Sequence, residues 1–404
     1  MQLLWVLLMK NLNWKGRTIT MNEKVKIKLK VLAVNDPAVD VYIDKNYKVL
    51  ENYDDDTVDI QFDIVPWDSY FPTMLKVFNG ETSYDIIMVA GHLWLADFVT
   101  KQYLEPMDYE FEDILPVIAQ EMQYQGKTYL SPSFCDGHVI VYRKSTIEKV
   151  LGKPLDPVIT VDQFIEVAKK LKENGIDSPI ALKAHQSEIL TDALPYLRST
   201  GLDLYEIKDN KVVCNIKKME EGLNKYLSLK SYAPDDTYTF GNNEIKEVLA
   251  HNKVAMAVTW SGQLGVVTKE CDDLEDLGFS TFDTAWNVTW SFAITKNSQN
   301  KEKAKAFLAY LRSKEVDRLV GAYCGAPVRK NSYIEGMNKY PWYKVQLDMI
   351  ENQATPLIDL LQAGDKNNVL YEEIYNVFTG QKEVREALKD AESRIEAVDE
   401  RRTL

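Results

Sequence analysis

The chain has 404 residues and a formal net charge of −13, with 45% hydrophobic and 27% charged residues, a composition typical of globular proteins. The negative charge argues against a nucleic-acid partner, because binding to phosphates needs clustered Lys and Arg. The four cysteines form no CxxC pair and the four histidines show no HExxH or HxxxH spacing, so the sequence predicts no metal site and no cofactor.

Residues 1–24 are interpreted as a leader or a disordered N-terminus outside the fold. Their apolar stretch, residues 3–9, is shorter than the roughly 20 apolar residues that span a bilayer. No basic residue precedes it, no cleavage site follows at once, and no lipobox cysteine is present. The stretch is therefore a poor export signal, and Met21 is an alternative start.

The spacing of apolar residues after this segment predicts strands that alternate with helices. The predicted strands cover 25–34, 58–64, 86–90, 179–182 and 253–259. The predicted helices cover 67–78, 160–174, 216–229, 243–250, 301–320 and 383–398, and Gly91-His92-Leu93 is expected to be a turn. This alternation predicts a mainly parallel sheet. No linker rich in Pro, Gly or Ser divides the chain, so two lobes would have to be joined by crossing strands.

Aromatic residues follow several of the predicted strands. Trp67, Trp94 and Trp260 each come at or just after a strand end. Ligands of open α/β sheets bind outside the carboxyl ends of the strands, and indole rings beside polar groups suit a sugar. The apolar face of a pyranose stacks on indole, while its hydroxyls pair with carboxylates and amides. The alternative for any single Trp is packing, and Asp136 is alternatively a solvated turn residue.

Signatures of catalysis are missing from the sequence. It contains no GxSxG, P-loop or GxGxxG motif. The carboxylates are numerous enough that a pair suited to glycoside hydrolysis could assemble in space. An enzyme is not expected, but a glycoside-acting enzyme stays an alternative.

The order and spacing of six stretches carry a family resemblance. The chain resembles the extracellular solute-binding proteins of ABC importers, the sugar-binding group typified by maltose-binding protein. The stretches that carry it are YDIIMVAGHLWLADFVTKQYLEPMD (84–108), YQGKTYLSPSFCDGHVIVYRK (124–144), TVDQFIEVAKKLKENG (160–175), NKVAMAVTWSGQL (252–264), KEKAKAFLAYLRSKE (301–315) and GQKEVREALKDAESRI (380–395).

The resemblance implies an α/β, periplasmic-binding-protein-like fold, with two α/β lobes joined by crossing strands and a ligand cleft between them. Lobe one is expected to comprise residues 25–135 plus 285–330, and lobe two residues 136–284 plus 331–404. The family's cleft positions, together with Asn35 and Trp67 at the first two strand ends, predict ligand-binding residues and no catalytic residue. The predicted set is Asn35, Trp67, His92, Trp94, Asp136, His185, Gln186, Glu188, Trp260, Ser261, Trp286, Trp290, Tyr323 and Arg329.

A departure from the family pattern concerns the helix near Asn367 and Asn368. Members of the family often contribute an aromatic ring from this helix, and the asparagines here put that stacking platform in doubt. A second departure is the position of the indole in Thr259-Trp260-Ser261-Gly262, which comes earlier than usual after the preceding strand.

The function implied is the substrate-binding component of an ABC transporter. It would capture a carbohydrate, expected to be an oligosaccharide, close by a hinge and deliver its ligand to the transmembrane permease subunits. A monomer outside the cytoplasm is expected. Alternatives are a binding protein for a polyamine or another polar solute, a glycoside-acting enzyme, and a sensory ectodomain or intracellular carbohydrate-binding module.

Overall fold

The computed structural model describes residues 26–208 and 211–400. The predicted leader, residues 1–24, and Val25 of the first predicted strand lie outside the described residues. Among the described helices, none combines the length and the apolar content that crossing a bilayer requires.

The strands of the described residues follow in chain order. They are β1 (Ile27–Val34), β2 (Val58–Val65), β3 (Ile86–Ala90), β4 (Leu104–Glu105), β5 (Gln123–Tyr124), β6 (Lys127–Thr128), β7 (Ser131–Arg143), β8 (Val158–Ile159), β9 (Ile180–Ala181), β10 (Glu206–Lys208), β11 (Lys211–Val213), β12 (Met256–Trp260), β13 (Leu277–Phe282) and β14 (Asn287–Thr295).

The α-helices are numbered in the same way. They are α1 (Pro37–Ile43), α2 (Trp67–Phe78), α3 (Gly91–Thr100), α4 (Pro116–Glu121), α5 (Lys144–Leu151), α6 (Val161–Glu173), α7 (Ile189–Arg198), α8 (Ile216–Ser228), α9 (Asn242–Ala250), α10 (Leu264–Glu270), α11 (Lys301–Leu311), α12 (Lys314–Tyr323), α13 (Lys330–Gly336), α14 (Tyr343–Asp348), α15 (Ala363–Phe378) and α16 (Val384–Glu400). Short 3₁₀ helices cover Leu229–Tyr232, Thr237–Thr239 and Ser261–Gln263, and a π-helical turn covers Met349–Gln353.

One large sheet runs through the molecule in the order β2-β1-β3-β14-β7-β12-β9. It is mixed and not mainly parallel as predicted, because β7 and β14 run antiparallel to their neighbours. Strand β1 pairs in parallel with β2 and β3, and β14 returns antiparallel to β3. Strand β4 pairs with β14, while β13 pairs with β7 and β8. We refer to the part built on β1, β2, β3 and β14 as lobe one. The part built on β8, β9, β12 and β13 is lobe two.

Strand β7 connects the lobes because it changes partners halfway along its length. Its residues from Ser131 to Gly137 pair with β14 of lobe one. From His138 onward it pairs with β12 and β13 of lobe two. All of its residues are buried, as expected for a strand that crosses between two cores.

The buried apolar side chains form two clusters. The first gathers residues of β1, β2, β3 and α11, and also of α13 and α14. The second gathers residues of α6, α7, α8, α15 and α16. The two-lobed α/β architecture predicted from the sequence is confirmed, whereas the residue boundaries of the lobes stay a prediction.

Local signals in the sequence account for the ends of several elements. Thr160 caps α6 through a capping box, since its hydroxyl accepts from Gln163 N–H and the Gln163 amide oxygen accepts from Thr160 N–H. Two local predictions are wrong. The expected turn at Gly91-His92-Leu93 is the first turn of α3, and the expected helix 301–320 is divided by a cap at Ser313, whose hydroxyl accepts from Val316 N–H.

Candidate functional site

A cavity of about 310 Å³ lies where the chain crosses between the lobes. The carboxyl ends of β1, β2, β3 and β12 reach it, as does the amino end of β14, which runs antiparallel to β3. Its volume falls in the range of small-molecule sites, roughly 300–1,000 Å³. The lining residues are Val34, Asn35, Asp36, Trp67, Asp68, His92, Leu93, Asp136, Ser187, Glu188, Thr191, Asn242, Trp260, Gln263, Trp286, Val288, Trp290 and Tyr371.

The lobe-one wall of the cavity is a stack of aromatic rings. Trp67, at the start of α2, stacks on Trp94 of α3 with centroids 5.7 Å apart, and it meets Trp290 edge-on at 5.8 Å. Trp290 lies nearly parallel to Phe134 beneath it. Trp67 keeps 42% of its surface exposed, while Trp94 is buried. The stack therefore presents the exposed indole of Trp67 and the half-buried indole of Trp290 to the cavity.

The lobe-two wall is built around Trp260, the last residue of β12. Its Nε1–H donates to Glu188 Oε2 at 3.1 Å, and Lys183 Nζ lies 4.3 Å from the ring centroid. The ring meets Trp286 edge-on at 5.7 Å. A hydrogen bond and a cation–π contact thus fix the orientation of this indole.

His138 lies on β7, the strand that crosses between the lobes, and its ring bonds two other segments of the chain. Trp286 N–H donates to its Nδ1 at 3.2 Å, which places the ring proton on Nε2, and Nε2–H donates to the Thr191 carbonyl at 2.9 Å. Burial lowers the pKa of His138 to about 3, so the imidazole is neutral. A neutral His138 therefore joins the backbone of the segment before β14 to that of α7.

Three residues that line the cavity have a buried polar atom with no hydrogen-bond partner in the part of the chain that the structure describes. They are Trp286 through Nε1, His92 through Nδ1 and Asn242 through Oδ1. An unsatisfied buried polar group costs about 1–3 kcal/mol. These atoms are therefore suited to pair with polar atoms of a ligand.

Two carboxylates lie at the centre of the lining. Asp36 follows β1 and caps α1, accepting from Ala38 N–H at 2.8 Å. Asp136 lies on β7 and accepts from Gly262 N–H at 2.7 Å. Burial raises the pKa of Asp136 to about 7, and burial together with the charge of Asp136 raises the pKa of Asp36 to about 8.

The absence of a side chain at Gly262 has a clear reason. A Cβ atom at this position would lie 2.5 Å from Asp136 Oδ1. The glycine thus allows the backbone after Trp260 to approach and hold the Asp136 carboxylate.

The structure brings eight of the fourteen residues predicted from the sequence together in the lining. They are Asn35, Trp67, His92, Asp136, Glu188, Trp260, Trp286 and Trp290. Their elements come from distant parts of the chain, and the sheet order places the ends of those elements side by side. Their role as ligand contacts stays a prediction.

Three of the predicted residues lie inside the protein or away from the cavity. Trp94 is buried behind Trp67, and the Ser261 hydroxyl donates to the Cys135 carbonyl at 3.1 Å. Tyr323, at the end of α12, packs edge-on against Tyr47.

The other three lie outside the lining for different reasons. His185 and Gln186 are exposed in the loop before α7, and His185 Nδ1 bonds the Ser187 hydroxyl at 2.8 Å. The Arg329 guanidinium donates to the carbonyls of Arg312 and Glu112, which ties it to the lobe-one surface.

The lining also contains residues that the sequence interpretation missed. Asp36 and Asp68 directly follow the predicted Asn35 and Trp67, so sequence adjacency was an available signal. Thr191, Asn242 and Gln263 carried no such signal, because their positions depend on how helices pack in lobe two.

Tyr371 of α15 is a candidate for the aromatic platform that Asn367 and Asn368 do not supply. The family pattern places an aromatic near Asn367 and Asn368, and Tyr371 lies one helical turn after these residues and lines the cavity. Within the described residues, no group of three or more His, Cys, Asp or Glu side chains is arranged to hold a metal ion.

Comparisons with known proteins agree with this architecture. The chain is 23% identical to the mannitol-binding protein of Pseudomonas aeruginosa over a match that covers 65% of each, so it spans about two thirds of that relative's length. Its fold is similar to that of maltose-bound MalE3 of T. maritima, with a TM-score of 0.79, 20% identity and coverage of 92% of this chain and 99% of that one.

A second solved structure gives the same result for the fold. The ABC transporter solute-binding protein of Agrobacterium radiobacter K84, in complex with ribitol, superimposes with a TM-score of 0.80 at 20% identity, covering 93% of this chain and 99% of that one. The model of the bacterial extracellular solute-binding protein family matches residues 37–318, most of the chain. The protein belongs to the bacterial extracellular solute-binding protein family.

Proposed function

We propose that this protein is the substrate-binding component of an ABC transporter and captures a carbohydrate in the cavity between its lobes. The observation that carries the proposal is the composition of the lining. Five aromatic rings alternate there with carboxylate, amide and hydroxyl groups, and three buried polar atoms have no partner. The rings are those of Trp67, Trp260, Trp286, Trp290 and Tyr371.

The chemistry of a sugar matches both halves of this lining. The C–H faces of the ligand stack on the indoles, and its hydroxyls donate to Asp136 and Glu188 or accept from amide groups such as that of Gln263. Trp286 Nε1–H is a donor only, so it pairs with a ligand oxygen. A relative named as a mannitol-binding protein and two similar solved structures, bound to maltose and ribitol, support a polyhydroxylated ligand.

Because residues of both lobes line the cavity, we expect the lobes to close around a bound ligand. Trp67 belongs to lobe one, whereas Trp260 and Glu188 belong to lobe two. A ligand that contacts both walls binds more tightly when the lobes are closed than when they are open. It therefore stabilises the closed arrangement. The connections that would bend are β7 near Gly137 and residues 283–286. The closed monomer outside the cytoplasm would then be recognised by the permease subunits.

A thermal-shift screen of the full chain tests this function. The panel contains mono- and oligosaccharides, polyols such as mannitol, and putrescine as a non-sugar solute. A ligand at a hundred times its Kd stabilises the folded state by about 2.7 kcal/mol, so at least one carbohydrate is expected to raise Tm clearly. The Trp67→Ala variant should lose this shift. Tyr238→Ala, which removes a comparably exposed ring outside the lining, should keep it.

The same experiment also tests the two alternative functions, a polyamine-binding protein and a glycoside-acting enzyme. A shift with putrescine and with no carbohydrate would instead support a binding protein for polyamines. Release of reducing ends during incubation with an oligosaccharide would support a glycoside-acting enzyme, for which the carboxylates of the lining are the candidates.

A further inference from the structure

Acidic side chains surround the cavity, and among the described residues no lysine or arginine lines it. Asp36 and Asp68 lie on the lobe-one wall, Asp136 on the crossing strand, and Glu188 on the lobe-two wall. None of these carboxylates forms an ion pair with another of the residues that the structure describes. The site therefore gathers an excess of four carboxyl groups that have no cationic partner on its own surface.

The charged groups behind the lining do not remove this excess. Lys183 is buried against the Trp260 ring, and its charge acts on Glu188, Asp192 and Asp136. One lysine is thus shared among three carboxylates, two of which belong to the four in the lining. Asp36 and Asp136 act on each other as like charges, which opposes ionisation of both. A cation inside the cavity would relieve this repulsion.

We propose that the carbohydrate bound here carries a protonated amino group, which contacts Asp36 and Asp136 between the aromatic rings of the two walls. The inference rests on the proposed function and narrows its ligand to amino sugars or amino polyols. An ammonium group in this position gains two charge-assisted hydrogen bonds and a cation–π contact. With a neutral sugar in the same place the two carboxyl groups avoid their repulsion by keeping a proton, whereas an ammonium group favours the ionised form of both.

The donor groups of the lining distinguish an amino sugar from a simple polyamine. A protonated polyamine has donors but no acceptors, so it cannot pair with the unpartnered Nε1–H of Trp286. An amino sugar supplies both an ammonium group and hydroxyl oxygens. A metal ion would need a cluster of ligands that the described residues do not provide.

Matched ligand pairs test the inference by isothermal titration calorimetry on the full chain. The pairs are D-glucose with D-glucosamine, D-galactose with D-galactosamine, and D-sorbitol with D-glucamine, and the N-acetylated amines serve as neutral controls. In at least one pair the amine should bind ten or more times more tightly than both neutral forms. Added salt should weaken this advantage, because it screens the charge interaction.

Two isosteric variants locate the amino group. In Asp36→Asn the amide oxygen still caps α1, and in Asp136→Asn it still accepts from Gly262 N–H, so both folds are retained. Each variant should reduce the advantage of the amine at least tenfold. Asp59→Asn, an exposed carboxylate on β2, changes the net charge equally and should leave the advantage intact.

The outcomes separate this inference from the proposed function. Binding of neutral carbohydrates that equals or exceeds that of the amines overturns the inference and leaves the carbohydrate-binding function standing. An amine advantage that persists in both variants overturns the assigned residues. No binding by any pair overturns the inference, and the proposed function fails as well only if no carbohydrate of the thermal-shift panel binds. Binding of putrescine without any sugar contradicts both.

Discussion

The two ends of β1 open into depressions of opposite character. At its amino end, Lys28 and Lys30 line a groove of about 500 Å³ that also receives two further lysines. At its carboxyl end, Asn35 and Asp36 line the acidic, aromatic cavity of about 310 Å³. The larger of the two is therefore not the one with the composition of a sugar site.

The groove and the cavity differ in volume, but they differ more clearly in whether their buried polar atoms have hydrogen-bond partners. In the groove, the Asp85 carboxylate accepts from Lys30 N–H, the Ser298 hydroxyl and the Asn300 amide. Within the described chain, no groove residue has an unpartnered buried side-chain atom, whereas three cavity residues do. A folded protein completes its own polar contacts where it binds nothing, so the cavity is the region left for a ligand.

The largest expected effect comes from Trp260→Ala, which removes the lobe-two wall of the cavity. Truncation of a buried Trp typically costs about 3–5 kcal/mol of unfolding free energy. It also leaves Glu188 without its indole donor and exposes Lys183 to the cavity. We expect a loss of affinity of at least a hundredfold for the best carbohydrate of the panel, measured by calorimetry, with stability followed by urea denaturation.

Trp260→Phe separates the two contributions of this residue. It keeps an aromatic face and removes the Nε1–H donor, so the loss of stability should be much smaller than in Trp260→Ala. Ligand affinity in Trp260→Ala equal to that of the unaltered protein would mean that the indole only packs, and the contrast with the groove would be lost.

A second prediction concerns the stability of the ligand-free protein above neutral pH. Unfolded Asp and Glu release their protons near pH 4, whereas the pKa of Asp136 is raised to about 7 and those of Asp36 and Glu121 to about 8 by burial. The native state therefore binds more protons in this window, and its stability falls as pH rises through 7 and 8. The slope is about 1.4 kcal/mol per pH unit for each proton that only the native state holds.

Urea denaturation at pH 6.5, 7.25 and 8 checks this sign. The buried histidines oppose this trend only in part, because the pKa values of native His92 and His138 are lowered to about 3 while unfolded His titrates near pH 6.5. Each unfolded His binds about half a proton at pH 6.5 and almost none at pH 8, so the carboxyl groups decide the sign. Asp136→Asn should flatten the pH dependence, while Lys28→Gln in the groove should not. A free energy of unfolding that rises with pH over this range would contradict the assignment of buried carboxyl groups without a cationic partner to the cavity.

The fold was predictable from the sequence because its signals are local. The alternating residues of β1 and β2, the apolar run of β3 and the Thr160 cap each specify an element without reference to the rest of the chain. The family resemblance implied two lobes, and the absence of a linker meant that strands would have to cross between them. The prediction of a mainly parallel sheet was wrong, because β14 and β7 pair antiparallel with their neighbours. The Gly91 turn was wrong because a helix can begin directly at a strand end.

The site was predictable only in part because it depends on side-chain direction. Trp67 and Trp94 both follow strands, yet one faces the cavity and the other packs behind it. Tyr371 and Asn242 reach the cavity from helices whose packing has no signature in the sequence. Arg329 has the right residue type for a ligand contact, but nearby carbonyls occupy its guanidinium.

A smaller effect is expected from Gly262→Ala, which disturbs one contact of the cavity. The new Cβ would lie 2.5 Å from Asp136 Oδ1, so the carboxylate must move away and its hydrogen bond to the backbone must lengthen. We expect binding of the best carbohydrate to weaken about tenfold, equivalent to about 1.4 kcal/mol. Calorimetry measures this, and Gly241→Ala, where the nearest atom is 3.6 Å away, is the matched control. Equal affinities in the two variants would show that Asp136 does not contact the ligand.

The smallest effect is expected when the groove is altered instead of the cavity. The double variant Lys28→Gln and Lys30→Gln removes two of the charges that line the groove. Both residues lie in the amino-terminal half of β1, away from the lining of the cavity. Lys28 is exposed, and a change there usually alters stability by less than about 0.5 kcal/mol, whereas replacing the half-buried Lys30 also removes its contact with the Tyr84 ring. Affinity for neutral sugars should change less than twofold.

Any change in affinity for the amino sugars should be a slight gain. Removing distant positive charge favours a bound cation through long-range electrostatics, which salt screens. A tenfold loss of carbohydrate affinity in this variant would place a ligand in the groove and reverse the contrast between the two ends of β1.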